Sequence, residues 1–187
     1  MSVLPIYLYG TDILRKKAKS VQNVNDEIIK LIIDMFETMH KAQGIGLAAT
    51  QVGSLDRVIV IDVSDLEDMK HIKPLTLINP EVVNGIGKVS LEEGCLSIPD
   101  IRDEVDRDEK IVVRFRDTNF KETELEADGV LARVILHEID HLNGVLFLDY
   151  LPKEKLKLHK DKLKQIQHGE IEVSYPVIPV QQVVKSK

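Results

Sequence analysis

Residues His137-Glu138-Ile139-Asp140-His141 set two imidazoles four positions apart, with a carboxylate directly after the first. On a helix, positions four apart lie about 40° apart around the axis, so both rings project from one face and can hold a single metal ion. Glu138 falls beside that face without having to ligate, the position of a general base for a metal-activated water. Two histidines leave a catalytic tetrahedral site one protein ligand short when water takes the fourth place. A third histidine six residues after the second is excluded, because that position is Phe147; a distant downstream glutamate stays open as third ligand. The stronger candidate is Cys95, the single cysteine, which follows Gly94 at the end of a strand pattern where backbone can come close. A lone cysteine is otherwise most often a small buried apolar residue, and one alone forms no intrachain disulfide.

The elements that must position these groups follow from periodicity. In residues 25–43, Ile28, Ile29, Ile32, Met35, Phe36 and Met39 recur at helical spacing on one broad face. Asn25 or Asp26 caps the start, and Gly44 supplies the left-handed residue that ends it. The following run, Gly44-Ile45-Gly46-Leu47-Ala48-Ala49-Thr50-Gln51, has small residues where backbone or ligand comes close. Strand patterns occupy residues 57–63, 75–79, 81–91, 110–117 and 120–126, joined by turns too short for crossover helices, which makes the sheet mostly antiparallel. The charged stretch 100–109 reads as a solvated loop. A second helix over 128–143 carries the histidine pair, with Asp128 as N-cap and Gly144 beyond its end. A third, basic helix covers 153–167, and the tail 169–187, which alternates apolar residues with prolines, reads as extended. The expected fold class is therefore α+β, with a single domain over 1–168 that includes the basic helix at 152–168, and a tail over 169–187.

Composition narrows the partners. In 187 residues, 43% are hydrophobic and 30% charged, which fits a globular chain with a sizeable core. The net charge of −6 and an aromatic content of 4% argue against a general nucleic-acid binder, so no DNA partner is expected. No apolar run approaches the roughly 20 residues of a membrane span, and the first residues carry no secretory pattern, so a cytoplasmic location is expected. The one basic region runs from Lys153 to Lys164, ordinarily a solvated face.

Three blocks in order, Gly44-Ile45-Gly46-Leu47-Ala48-Ala49-Thr50-Gln51, Glu93-Gly94-Cys95-Leu96-Ser97 and His137-Glu138-Ile139-Asp140-His141, resemble the signature motifs of bacterial peptide deformylases. The likeness runs from about residue 4 to residue 151. It implies antiparallel strands around a central metal-binding helix, with an N-terminal helix and a C-terminal helix plus tail. It implies one divalent metal on Cys95, His137 and His141, ferrous iron natively, with Zn2+, Ni2+ or Co2+ as replacements. It also implies Glu138 as the acid and base, and Gln51 and the Leu96 N–H as donors to the charged oxygen of the intermediate. The substrate would be N-formylmethionyl nascent peptides, releasing formate, with Ile45, Gly46, Leu91, Arg102, Val130 and Val134 at the binding cleft.

A deformylase meets nascent chains at the ribosome, where the face from Lys153 to Lys164 would find RNA phosphates. Two positions depart from the family pattern: Leu136, where relatives often carry glutamine, and Arg133, often apolar and read here as pointing to water. The competing readings are an endopeptidase and a non-catalytic module built on a structural metal, and only a hydrolase requires Glu138.

Overall fold

Asn25 accepts the Ile28 N–H at 2.9 Å and so caps α1, Asp26–Lys41. The left-handed residue at its end is Gln43 (φ 55°), not Gly44, whose N–H instead closes the last turn on the Met39 carbonyl. In the computed structural model, which describes residues 2–180, the chain begins with the short β1, Ile6–Tyr7, and after α1 enters β2, Gly46–Ala48. Next come β3, Val58–Ile61, and the long β4, Leu75–Ile86. A hairpin of β5, Val89–Cys95, and β6, Ile98–Arg107, precedes β7, Lys110–Arg116, and β8, Glu122–Asp128. Then follow α2, Gly129–Leu142, α3, Lys153–His168, and β9, Val177–Ile178. The protein is α+β, with three α-helices among the described residues and antiparallel pairing in its two larger sheets.

The five-stranded sheet has the order β2-β3-β4-β7-β8 and is covered on both faces. Side chains alternate across a strand, so the unbroken apolar run of β3 serves two cores. Val58 and Val60 pack with Ile28, Ile32, Met35 and Met39 of α1. Ile59 and Ile61 face the other way, onto Leu131, Ala132, Ile135 and Ile139 of α2. A third cluster joins α3, through Leu163 and Ile166, to Ile101 and Val105 of β6 and to Phe147. No helix of the described residues is long and apolar enough to cross a membrane.

Three further sequence expectations need correction. The stretch 100–109 is mostly strand, because β6 continues to Arg107 in register with β5. Its inward positions include Asp103 and Arg107, charges that pair with partners and so break the apolar alternation that marks a strand. Asn79-Pro80 is no turn but an irregularity within β4, where Asn79 (φ 54°) exchanges two 2.8 Å hydrogen bonds with the Val21 backbone. The pattern read over 81–91 is divided between β4 and β5 by a turn at Gly87, φ 74°. Of the tail, residues 181–187 lie outside the described residues; within 169–180 a turn and bends lead to the short β9, which pairs in parallel with β1.

The helix that carries the histidine pair is constrained most tightly at its C-terminal end. Asp128 occupies the N-cap position without a side-chain bond to the helix. At the other end Gly144 adopts φ 76°, and a Cβ there would lie 2.6 Å from the Arg15 carbonyl oxygen. Gly144→Ala combines an unfavourable backbone region with a backbone clash, and is expected to cost at least about 1 kcal/mol. Urea denaturation of the two proteins measures it.

Candidate functional site

The helical period brings His137 and His141 to one face of α2, where their rings meet edge to face at 4.9 Å between centroids. Thr50 anchors that turn of the helix by donating its hydroxyl to the His141 carbonyl. The turn between β5 and β6 delivers Cys95 to the same place, its Sγ 3.1 Å from His141 Nε2. One ligand atom from each of Cys95, His137 and His141 lies within 4.8 Å of the others.

His137 is oriented from behind. Its Nδ1 meets Glu93 Oε2 at 2.9 Å, which leaves Nε2 to face the cysteine, and Phe147 stacks along the ring. Burial pulls the His137 imidazolium down, but bonds to Cys95 and Glu93 overcome it and hold its pKa well above the ordinary value. Burial, and next the charge of His137, holds His141 well below its own. A cation among the three groups would take over the positive charge that the His137 proton supplies, since metal binding to imidazole and thiol releases protons. A half-buried sulfur and two buried imidazoles with such spacing fit a divalent transition metal.

Glu93 is the hub of a buried charge network. It receives Arg107 Nη2 at 2.9 Å, Arg133 Nη1 at 2.6 Å and His137 Nδ1. Burial pushes its carboxyl up, yet the hydrogen bonds from His137 and Arg107 more than reverse this and hold it at about 2. Arg107 also reaches Asp140 at 2.6 Å, and Tyr150 donates to the same carboxylate. Arg133 therefore does not point to water. It is buried, and besides Glu93 it bonds the Val105 and Val89 carbonyls, tying α2 to both strands of the hairpin.

Glu138 lines a cleft of about 900 Å³ that His137 and Cys95 also border. Its Oε2 is buried without a protein partner. Burial pushes the carboxyl up to about 7, with the His137 charge opposing and that of Glu93 adding. Gln51, also buried, accepts the Ala48 N–H on Oε1 at 2.8 Å, which directs Nε2 toward Cys95 Sγ and the Ser97 hydroxyl. Gly46 permits the close approach of β2 to α2: a Cβ there would lie 2.6 Å from Glu138 Oε1 and 2.7 Å from Val134 Cγ1. Ile45, Gly46, Leu91, Arg102, Val130 and Val134 all line this cleft, with Cys95, Leu96, Gln51, His137 and Glu138.

A family model for polypeptide deformylase matches residues 3–157. The chain belongs to the polypeptide deformylase family. It is 45% identical over 184 residues to the peptide deformylase of Salinibacter ruber, covering 94% of each chain. To that of Chlorobaculum parvum it is 42% identical over 177 residues, covering 95% of each. The fold is similar to the crystal structure of a peptide deformylase from Legionella pneumophila, with a TM-score of 0.83 and 38% identity over 90% of this chain and 98% of that one. It is also similar to the Ehrlichia chaffeensis deformylase in complex with actinonin, with a TM-score of 0.82 and 41% identity over 92% of this chain and 100% of the other.

Several residues that hold this deformylase site together carry no role in the sequence reading. Glu93 and Asp140 stand inside the quoted motifs, so their neighbourhood was visible, but Arg107 lies in the misread charged stretch and Tyr175 in the tail. Glu93→Gln keeps the shape and removes the charge that balances Arg107 and Arg133. The expected loss at pH 7 is about 3–5 kcal/mol, as for one broken partner of a buried pair. Because folding lowers the Glu93 pKa, its stabilisation is present above the ordinary value of 4.5 and is lost as pH falls toward about 2. Urea midpoints from pH 7 down to 2 check both, with a flatter acid limb expected in the variant.

Proposed function

We propose that Cys95, His137 and His141 hold the metal with which this deformylase, a metal-dependent hydrolase of protein biosynthesis, removes the formyl group from the N-terminal methionine of new chains. The observation that carries the reading is the convergence of a sulfur and two imidazole nitrogens within 4.8 Å, beside a buried carboxylate with a free oxygen. On this reading α2 is the catalytic centre of one unit over residues 1–168, to which 169–187 are appended. The native metal is ferrous iron, with zinc, nickel or cobalt able to replace it, since mixed thiolate and imidazole sites accept each of these. When bound, the metal supplies Lewis acidity, bringing the pKa of a water from about 15.7 toward about 7.

The chain's own groups do the rest. Glu138 takes the proton from the attacking water as its oxygen bonds to the formyl carbon. The same carboxyl then hands that proton to the departing amine, so the C–N bond breaks to leave formate and a free N-terminus. Negative charge gathers on the former carbonyl oxygen, where Gln51 Nε2 and the Leu96 N–H meet it. The Gln51 amide needs no reorientation, because its oxygen is already tied to the Ala48 N–H.

Ile45, Leu91, Val130, Val134 and the face of the His137 ring receive the methionine side chain, whose full burial is worth about 1.5–3 kcal/mol. β2 is an edge strand, and its free side at Gly46 takes the substrate backbone as an added strand. Arg102, exposed and 3.6 Å from Glu92, stands at the rim to meet polar groups further along the peptide. The basic face of α3 supplies a weak, salt-sensitive contact with the ribosome in the cytoplasm. Lys155 and Lys162 are already paired with Asp103 and Asp100, which leaves the exposed Lys153, Lys157, Lys160 and Lys164 for phosphate.

Formate release from formyl-Met-Ala-Ser by anaerobically purified protein, with metal analysis, tests the reading. Glu138→Gln is expected to retain the metal and lose about 10²–10⁴-fold in kcat; undiminished turnover would remove Glu138 from the reaction and favour a structural metal. Gln51→Leu should cost about 10²–10³-fold in kcat at wild-type metal content.

A further inference from the structure

The family match ends at residue 157, but the wall of the cleft continues beyond it. After α3 the chain turns at Gly169, where φ is 73° and Pro179 packs close. β9 then pairs with β1: the Ile6 N–H donates to the Pro176 carbonyl and the Leu8 N–H to the Ile178 carbonyl, both at 2.9 Å. A further bond from the Val180 N–H to the Gln167 carbonyl fastens the segment to α3. This docking brings Glu172, Val173, Ser174 and Tyr175 to the cleft.

Tyr175 touches the turn that carries the proposed chemistry. Its ring packs against the apolar cluster beneath α1, and its hydroxyl donates to the Leu96 carbonyl at 2.9 Å. Leu96 lies between β5 and β6, outside both, so its peptide groups lack the ladder partners that fix a strand. On one side its side chain rests against Gly44, where a Cβ would lie 2.7 Å from Leu96 Cδ1. On the other side its carbonyl is held by Tyr175. Among the described residues the Leu96 N–H makes no hydrogen bond, and Leu96 borders the cleft.

We propose that Tyr175 is a positioning residue for deformylation: its hydroxyl fixes the Leu96 carbonyl, and with it the direction in which the Leu96 N–H meets the substrate oxygen. The inference rests on the role given above to Leu96. A donor aimed at developing charge is effective when it need not reorganise during the reaction. Without the phenol the Leu96 carbonyl loses its partner, and the turn can rotate its peptides toward water.

Tyr175→Phe keeps the ring and removes only the donor. With metal-loaded enzyme, kcat is expected to fall about three- to tenfold, the rate equivalent of one hydrogen bond. The fall should be equal on formyl-Met and formyl-Met-Ala-Ser, with KM and metal content unchanged and the urea midpoint lowered by no more than the loss of one hydrogen bond. An unchanged kcat overturns the proposal. So does a loss confined to KM or to the longer substrate, which would make the segment a binding wall alone. Loss of metal in the variant also overturns it, because the effect would then run through Cys95. Wild-type protein that releases no formate would sink the active-site reading itself, whereas an active wild type matched by Tyr175→Phe sinks only the role of Tyr175.

Discussion

Glu93 puts a carboxylate only 5% exposed between a helix and a hairpin, where an unpaired charge would cost several kcal/mol. It is tolerable because Arg107, Arg133 and His137 donate to it together, and those three donors come from two different elements. The requirement that all three reach one carboxylate fixes the rotation of α2 against β5 and β6. A helix turned by one residue would leave a buried charge without its partner. That same rotation decides where His141 and Glu138 point, so the site inherits its geometry from an interaction that does no chemistry. Ion pairs of this kind add little net stability compared with apolar packing, and their use here is to select one arrangement.

The opposite side of the site is governed by bulk rather than charge. β2 approaches α2 at Gly46, and the missing side chain there makes room for the Glu138 carboxyl. Gln51 follows in the next turn, its amide oriented by the Ala48 N–H. Because β2 is the edge of its sheet, the strand that makes room for Glu138 also keeps an unpaired backbone side beside the cleft. A peptide that added to this edge would bring its terminal amide toward Cys95, His137 and His141 along a path set by main-chain geometry. Pairing of that kind is indifferent to side chains, which suits an enzyme that must act on many different nascent chains.

What the sequence made legible was local. The pairing of His137 with His141 follows from helical period alone, and the two-sided burial of β3 is visible in an unbroken Val-Ile run. The three spaced blocks carried the resemblance to deformylases, which the family match bears out. Two departures, the strand over 100–107 and the buried Arg133, share a cause: charged residues there are held inside. Arg133 and Arg107 are buried because Glu93 and neighbouring carbonyls receive them, and those acceptors lie 14 to 44 positions away. Asp103 is likewise drawn inward by Lys155 and His159 on α3. Nothing in composition or periodicity distinguishes such a residue from a surface charge, because the information is the position of a distant partner. Left-handed Asn79 is illegible for a related reason, since its conformation is held by two bonds to the distant Val21 backbone rather than by a glycine.

The chain after α2 completes the support of the β5–β6 turn. Asp100 and Asp103 of β6 are held by Lys162 and by Lys155 with His159, so α3 grips the hairpin through its own basic face. That explains why the helix keeps lysines on a side that also packs: their stems cover apolar surface while their ammonium groups find carboxylates. From the end of α3 the segment that includes Tyr175 crosses back to β1 and reaches the turn from outside. The turn with Cys95 and Leu96 is thus braced by Glu93 within the hairpin, by α3 along β6, and by Tyr175 at its tip. Only the first brace lies inside the shared motifs. The other two are built from exposed or half-buried groups and a few main-chain bonds. A turn braced this way keeps Cys95 beside His141 from within the hairpin while the direction of the Leu96 peptide is set from the chain that follows α3.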